Sequence, residues 1–162
     1  MNTQQIVEQM FSQLSQLAQQ LEQLNEVLEL EQTALTNNDF PALEALAHDK
    51  ETLSAQIEQL EQQRHALCDR LQITCDFTSI KSYLNGVSGR LLGRLEQLWD
   101  KISMLGGQCA SQNQVNGILV AHRHRHAQQA LAILRGVSGS EELYSASGAQ
   151  QLADTQNSLG RV

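Results

Sequence analysis

A chain of 162 residues with a single proline, 41% hydrophobic and 4% aromatic residues is sized for one domain with a modest tail, and a core drawn from Leu, Ile, Val and Ala suits helix packing better than a β-sandwich. The formal charge of −7 comes without a basic block or stacking aromatics, which argues against nucleic acid as a partner. Cys68, Cys75 and Cys109 are odd in number and lack C-x-x-C spacing, so they write neither a disulfide framework nor a zinc knuckle, and a reducing compartment fits.

The opening Met1-Asn2-Thr3-Gln4-Gln5 carries no positive charge and leads into no apolar run. The longest apolar string near the other end, Ile118 to Ala121, falls far short of the roughly 18 to 20 residues of a spanning helix. The expectation is a soluble, cytoplasmic protein without a membrane-inserted segment. Residues 1–62 hold eleven acids and one base, whereas residues 63–140 hold nine bases and four acids. That asymmetry lets the chain pair its own segments before any external ligand is invoked.

From Val7 the apolar residues recur in alternating steps of three and four through Met10, Leu14, Leu17, Leu21, Leu24 and Leu28, pass Glu31 and resume at Leu35, which predicts a first helix with a heptad stripe. The cluster Thr36-Asn37-Asn38-Asp39 supplies turn and N-cap chemistry, and Pro41 sits where its missing N–H is harmless, so a second helix starts there. Its stripe runs Leu43, Leu46, Lys50, Leu53, Ile57, Leu60, Arg64, Leu67 and Leu71. In an antiparallel hairpin facing residues keep a constant sum of residue numbers. Leu35 with Leu43, Leu28 with Lys50, Leu21 with Ile57, Leu14 with Arg64 and Val7 with Leu71 do so, and a long antiparallel hairpin of two helices, each about 48 Å long at 1.5 Å per residue, follows. Lys50 and Arg64 interrupt the second stripe. Snorkelling to the edge is the preferred expectation for both, with register setting, Glu31 lying about one turn from Lys50, as the alternative.

Residues 73–89 break the pattern with polar and glycine residues and read as a connector, though Ile80 to Leu84 suit one helical turn. A third stripe then runs from Leu91 through Leu95, Leu98, Ile102, Leu105, Cys109, Gln112, Asn116, Leu119, Arg123, His126 and Ala130 to Ile133, ending at Gly136 as a C-cap. Gly106, Gly107 and Gly117 suggest either a break near Gly106 or close backbone packing. If unbroken, this helix is about 69 Å long, more than the hairpin covers. Its last turns carry a second apolar line, Val120, Ala127, Leu131 and Leu134. Such an end is a candidate partner-binding surface unless the 73–89 connector folds back over it. The architecture expected is therefore all-α: a long antiparallel hairpin plus a third long helix as a bundle over residues 1–136, followed by a flexible tail over residues 137–162, poor in large apolar groups, with Leu143, Tyr144, Leu152 and Leu159 as islands.

Chemistry is sparse. His122 and His126, four apart, have helical metal-ligand spacing, but Arg123 and Arg125 repel a cation and no third ligand is predicted nearby, so no metal and no cofactor is expected. Gly86-Val87-Ser88-Gly89 and Gly136-Val137-Ser138-Gly139 match neither a nucleophile elbow nor a P-loop and read as punctuation. The three thiols read as small buried hydrophobes. An enzyme is not expected.

The segments Asn113-Gln114-Val115-Asn116-Gly117-Ile118-Leu119-Val120, Ala127-Gln128-Gln129-Ala130-Leu131-Ala132-Ile133-Leu134 and Leu143-Tyr144-Ser145-Ala146-Ser147-Gly148 together resemble the FlgN family of flagellar type III export chaperones. The resemblance implies an all-helical antiparallel bundle with a pliable C-terminal region that binds the terminal helices of hook-filament junction subunits and delivers them to the export gate. By position it places partner binding along Asn116, Leu119, Val120, Ala127, Leu131 and Leu134, with Leu143 beside them. It matches Tyr144 to the tyrosine that docks the family on the gate's cytoplasmic domain, although Ser145 stands where glycine commonly follows. The competing reading is a self-associating coiled-coil scaffold, a homodimer included, whose polar seam residues Gln112 and Asn116 set register between chains.

Overall fold

The computed structural model describes residues 3–84 and 89–136. Four helices follow in order: α1 (Thr3–Asn37), α2 (Phe40–Leu71), α3 (Phe77–Tyr83) and α4 (Gly89–Leu134), with no strand among the described residues. The chain divides into two compact units, Met1–Ala121 and His122–Val162. The expected tail from residue 137 onward, and with it Leu143 and Tyr144, lies outside the described residues.

In the first unit, the turn between α1 and α2 forms as its residues dictate. Asn38 adopts the left-handed conformation at φ 57°, which its short polar side chain tolerates. The Asp39 N–H donates to the Ala34 carbonyl at 3.0 Å, and the Asp39 carboxylate caps α2 by accepting from the Ala42 N–H at 3.1 Å. At the other end of α2, Gln72 is left-handed at φ 56°. Its N–H reaches Asp69 O at 3.0 Å while the Ile73 N–H reaches Cys68 O at 3.1 Å, the paired bonds of a Schellman stop made without glycine.

The spine of this unit is α1. Ile6, Val7, Met10, Leu14, Leu17, Ala18, Leu21, Leu28, Ala34 and Leu35 are all buried along it, whereas α2 buries only Leu67 and Cys68 and presents Leu53, Ile57 and Leu60 half-covered. The difference has a sequence cause: α1 buries Ile6, Ala18 and Ala34 beside its heptad stripe and so serves two neighbours, while the stripe of α2 is itself interrupted by Lys50 and Arg64 and its off-stripe alanines, Ala45, Ala47, Ala55 and Ala66, are exposed.

The second neighbour is α4, and it runs parallel to α1. The Cys109 thiol donates to Leu21 O at 3.4 Å and Asn116 Nδ2 donates to Leu28 O at 2.8 Å. Both pairs have the same sequence offset, as parallel helices in heptad register require. The packing is up, down, up, with α2 antiparallel to α1.

Two apolar clusters fill the interior. One gathers Leu17, Leu21, Leu28, Leu105 and Cys109 against Leu24, Ile57 and Leu60. The other joins Val7, Met10, Leu14, Leu67, Cys68 and Leu95 to Ile80 and Leu84. The 73–89 connector thus contains a true helix, α3, started by the Asp76 carboxylate accepting from the Ser79 N–H at 2.9 Å. Its apolar residues close this second cluster, with Leu84 wholly buried and Ile80 nearly so. Ile73, Phe77, Ile80 and Leu84 of the connector pack in the cluster around Val7 and Leu95.

Two further expectations need correction. The helix α4 continues through Gly106 and Gly107 without a break, and a methyl group at Gly106, Gly107 or Gly117 would meet no atom within 4 Å, so close backbone packing does not explain these glycines either. Nor do Lys50 and Arg64 snorkel. Lys50 Nζ lies 2.6 Å from Glu31 Oε1. Arg64 is held by Glu61, with Nε to Oε2 at 3.1 Å, and stacks 5.1 Å from the Trp99 ring centroid, a geometry that favours a guanidinium.

Candidate functional site

The residues expected to form a partner surface separate into those that hold the bundle and those that face outward. Asn116 belongs to the first group. It is 2% exposed, and besides Leu28 O its Nδ2 donates to Glu31 Oε2 at 2.8 Å. Because Glu31 Oε1 also receives Lys50, one carboxylate on α1 ties together α2 and α4. Gln112, one turn earlier, donates to Gln32 Oε1 at 2.9 Å. The polar seam residues therefore find their partners within the same chain, and a buried amide that satisfies a carboxylate and a carbonyl fixes one register of α4 on α1.

Leu119 is half-buried, and Val120 is 51% exposed. Val115 and Ile118, which the stripe analysis passed over, are also exposed, Ile118 more so than Val120. The signal was in the sequence: Ile118, Leu119 and Val120 follow one another at about 100° per residue, so they cannot all face α1.

In the second unit, Ala127 is exposed, as are Leu131 and Leu134, the latter 82%. Their spacing of four and three puts them on one side of the helix. Ile133, which periodicity assigns to the seam, is 76% exposed. Helical period identifies a face but says nothing of whether another element lies on it. Basic and imidazole groups flank this apolar group. The His122 and His126 rings lie 4.5 Å apart, and His124 Nε2 is 2.9 Å from Gln128 Nε2. Among the described residues no third His, Cys, Asp or Glu joins the pair.

The helix closes with the Arg135 N–H on Leu131 O at 3.0 Å, the Gly136 N–H on Ile133 O at 3.1 Å and Gly136 itself at φ 69°, as its C-cap position demands. Exposed leucine and isoleucine side chains at the end of a helix can exchange hydration water for an apolar partner, at about 25 cal/mol per Å² buried. No described helix is long and apolar enough to cross a membrane.

Comparison with curated proteins and with solved structures returned no match. The family model of the FlgN protein matches residues 1–151, nearly the whole chain, bundle and outward-facing residues alike. With this helical architecture and that match, the chain belongs to the FlgN family, and with it to the chaperones of flagellum assembly.

Proposed function

We propose that this protein is the cytoplasmic export chaperone of hook-filament junction subunits, holding their aggregation-prone terminal helices on exposed apolar residues and handing them to the type III export gate. The observation that carries the reading is the exposure of Leu131, Ile133 and Leu134 at the end of α4. An amphipathic client helix laid there covers apolar surface that is otherwise wet. Ala127 shares that face, Leu119 and Val120 of the first unit are further contacts, and Leu143 and Tyr144 follow in sequence. Tyr144 is the proposed contact to the gate's cytoplasmic domain. Asn116 has a different part in this scheme: buried against Leu28 and Glu31, it holds α4 in register and does not touch the client.

The test is titration calorimetry of the full chain with the purified terminal helices of a hook-filament junction subunit. Saturable binding at a fixed stoichiometry, weakened by Leu131→Asp with helicity intact, supports the proposal. A chain that ignores these helices and instead associates with itself returns the scaffold reading, to which the intrachain use of Gln112 and Asn116 gives no support.

A further inference from the structure

Two of the three thiols meet where α2 ends. Cys68, in the last turn of α2, is 1% exposed. Cys75, just past the Schellman stop, is half-buried, and the two sulfurs lie 2.7 Å apart as free thiols. Arg64 completes the arrangement: its Nη1 stands 3.2 Å from Cys75 Sγ and 3.2 Å from Cys75 O, while Glu61 and the Trp99 ring hold the guanidinium in place. Neither the proposed client surface nor the bundle register uses this pair.

We propose that Cys68 and Cys75 form a peroxide-reactive dithiol that closes reversibly to an intrachain disulfide, with Cys75 as the attacking sulfur and Cys68 as the resolving one. The roles follow from placement. The sulfur that stands beside a fixed guanidinium and in reach of solvent is the one placed to attack. Cys68 is walled off from oxidant and touches Cys75. Burial, reinforced by Cys75, pushes its thiol up to about 12, which makes it a poor nucleophile toward peroxide.

The chemistry balances with hydrogen peroxide as the oxidant. An electron pair of the Cys75 thiolate attacks one peroxide oxygen and the O–O bond breaks, which leaves a sulfenic acid on Cys75 and a hydroxide that takes up a proton as water. The Cys68 sulfur then attacks Cys75 Sγ, the S–O bond breaks, the S–S bond forms, and the Cys68 proton leaves with the departing hydroxide as a second water. Two thiols are oxidised by two electrons and one peroxide is reduced to two waters. A small-molecule dithiol reverses the step by exchange. In a reducing compartment such a bond is a transient mark of oxidant, not a permanent staple.

The short bridge would tie the last turn of α2 to the entrance of α3. Cys109 is the internal control, since it is buried with Leu21 O as its acceptor and has neither of the other sulfurs among its hydrogen-bond partners.

The experiment treats the full-length protein with one equivalent of hydrogen peroxide, then alkylates it under denaturing conditions and maps it by mass spectrometry before and after dithiothreitol. Expected is the joint loss of two alkylatable thiols, a Cys68–Cys75 cross-link within one chain, a free Cys109 and full recovery on reduction. In Cys68→Ser the reaction should stop at a Cys75 sulfenic acid that dimedone traps. In Cys75→Ser, checked for folding by circular dichroism, Cys68 should stay reduced under the same dose. Independent oxidation of the two thiols, a link through Cys109 or between chains, or peroxide consumption unchanged in Cys75→Ser would each overturn the proposal.

Discussion

Asn116 Nδ2 lies 2.8 Å from Glu31 Oε2, and the other oxygen of that carboxylate takes Lys50 Nζ at 2.6 Å. One polar knot thus joins three helices at a depth where the Glu31 side chain is only 13% exposed. Removing the amide leaves a nearly buried carboxylate oxygen without its donor, which costs about 1–3 kcal/mol. Asn116→Ala is accordingly expected to lower unfolding free energy by that amount in urea titrations while leaving the chain's oligomeric state as it was. A change in association state with no loss of stability would mean that Asn116 pairs between chains instead.

How far the fold could be read from the sequence is visible in these same residues. The hairpin was legible because two independent stripes had to agree in register, and the turn because Asn38 and Asp39 each have a conformation or a cap to supply. Gln112 and Asn116 were legible as seam positions but not as intrachain ones, since a heptad does not record which chain supplies the facing helix. The pairing of Lys50 and Arg64 was not legible, because whether a long cation snorkels or pairs depends on what stands within its reach in the fold, here Glu31, Glu61 and Trp99. The helix α3 is seven residues long, too short to persist by propensity, and owes its existence to Ile80 and Leu84 in the core. Exposure of Ile133 was hidden for the opposite reason, because its spacing is that of a buried residue.

The glycines of α4 make a prediction about stability. A methyl group at Gly106, Gly107 or Gly117 meets no neighbour, and each of these residues sits inside a continuous helix. Alanine at each position should raise stability by about 0.5–1 kcal/mol, because it removes backbone freedom from the unfolded chain without adding a clash. Thermal melts of the three single variants check this. A lower melting temperature in any of them would mean that the helix bends or is contacted at that point.

Acid should loosen α3 before the bundle. The Asp76 carboxyl is lowered from 3.8 to about 2, chiefly by the Thr74 hydroxyl and then by the Ser79 N–H and hydroxyl. A depressed carboxylate contributes stability that is complete above its unfolded value and is lost as pH falls toward its folded one. The cap is therefore whole above about pH 4 and fails between there and about pH 2. Hydrogen exchange in residues 77–84 should rise across that window in the native protein, whereas Asp76→Asn should flatten the dependence. Equal protection at both ends of the window would remove Asp76 as the cap that matters.

The sharpest test of the proposed function separates holding a client from docking at the gate. Leu131 is half-exposed and its carbonyl receives the Arg135 N–H, a backbone bond that a substituted side chain keeps, so Leu131→Asp should leave far-UV helicity unchanged. If a client helix covers it, a charge there forfeits the burial of one leucine, about 1.5–3 kcal/mol, and affinity for the junction-subunit helix falls roughly tenfold or more. Tyr144→Ala should spare that affinity and weaken binding to the gate's cytoplasmic domain. Calorimetry of both variants against both partners gives four measurements. The proposal requires each variant to affect one partner and not the other. Equal losses in all four would make Leu131 and Tyr144 parts of a single contact, and a loss of helicity in Leu131→Asp would make Leu131 part of the fold.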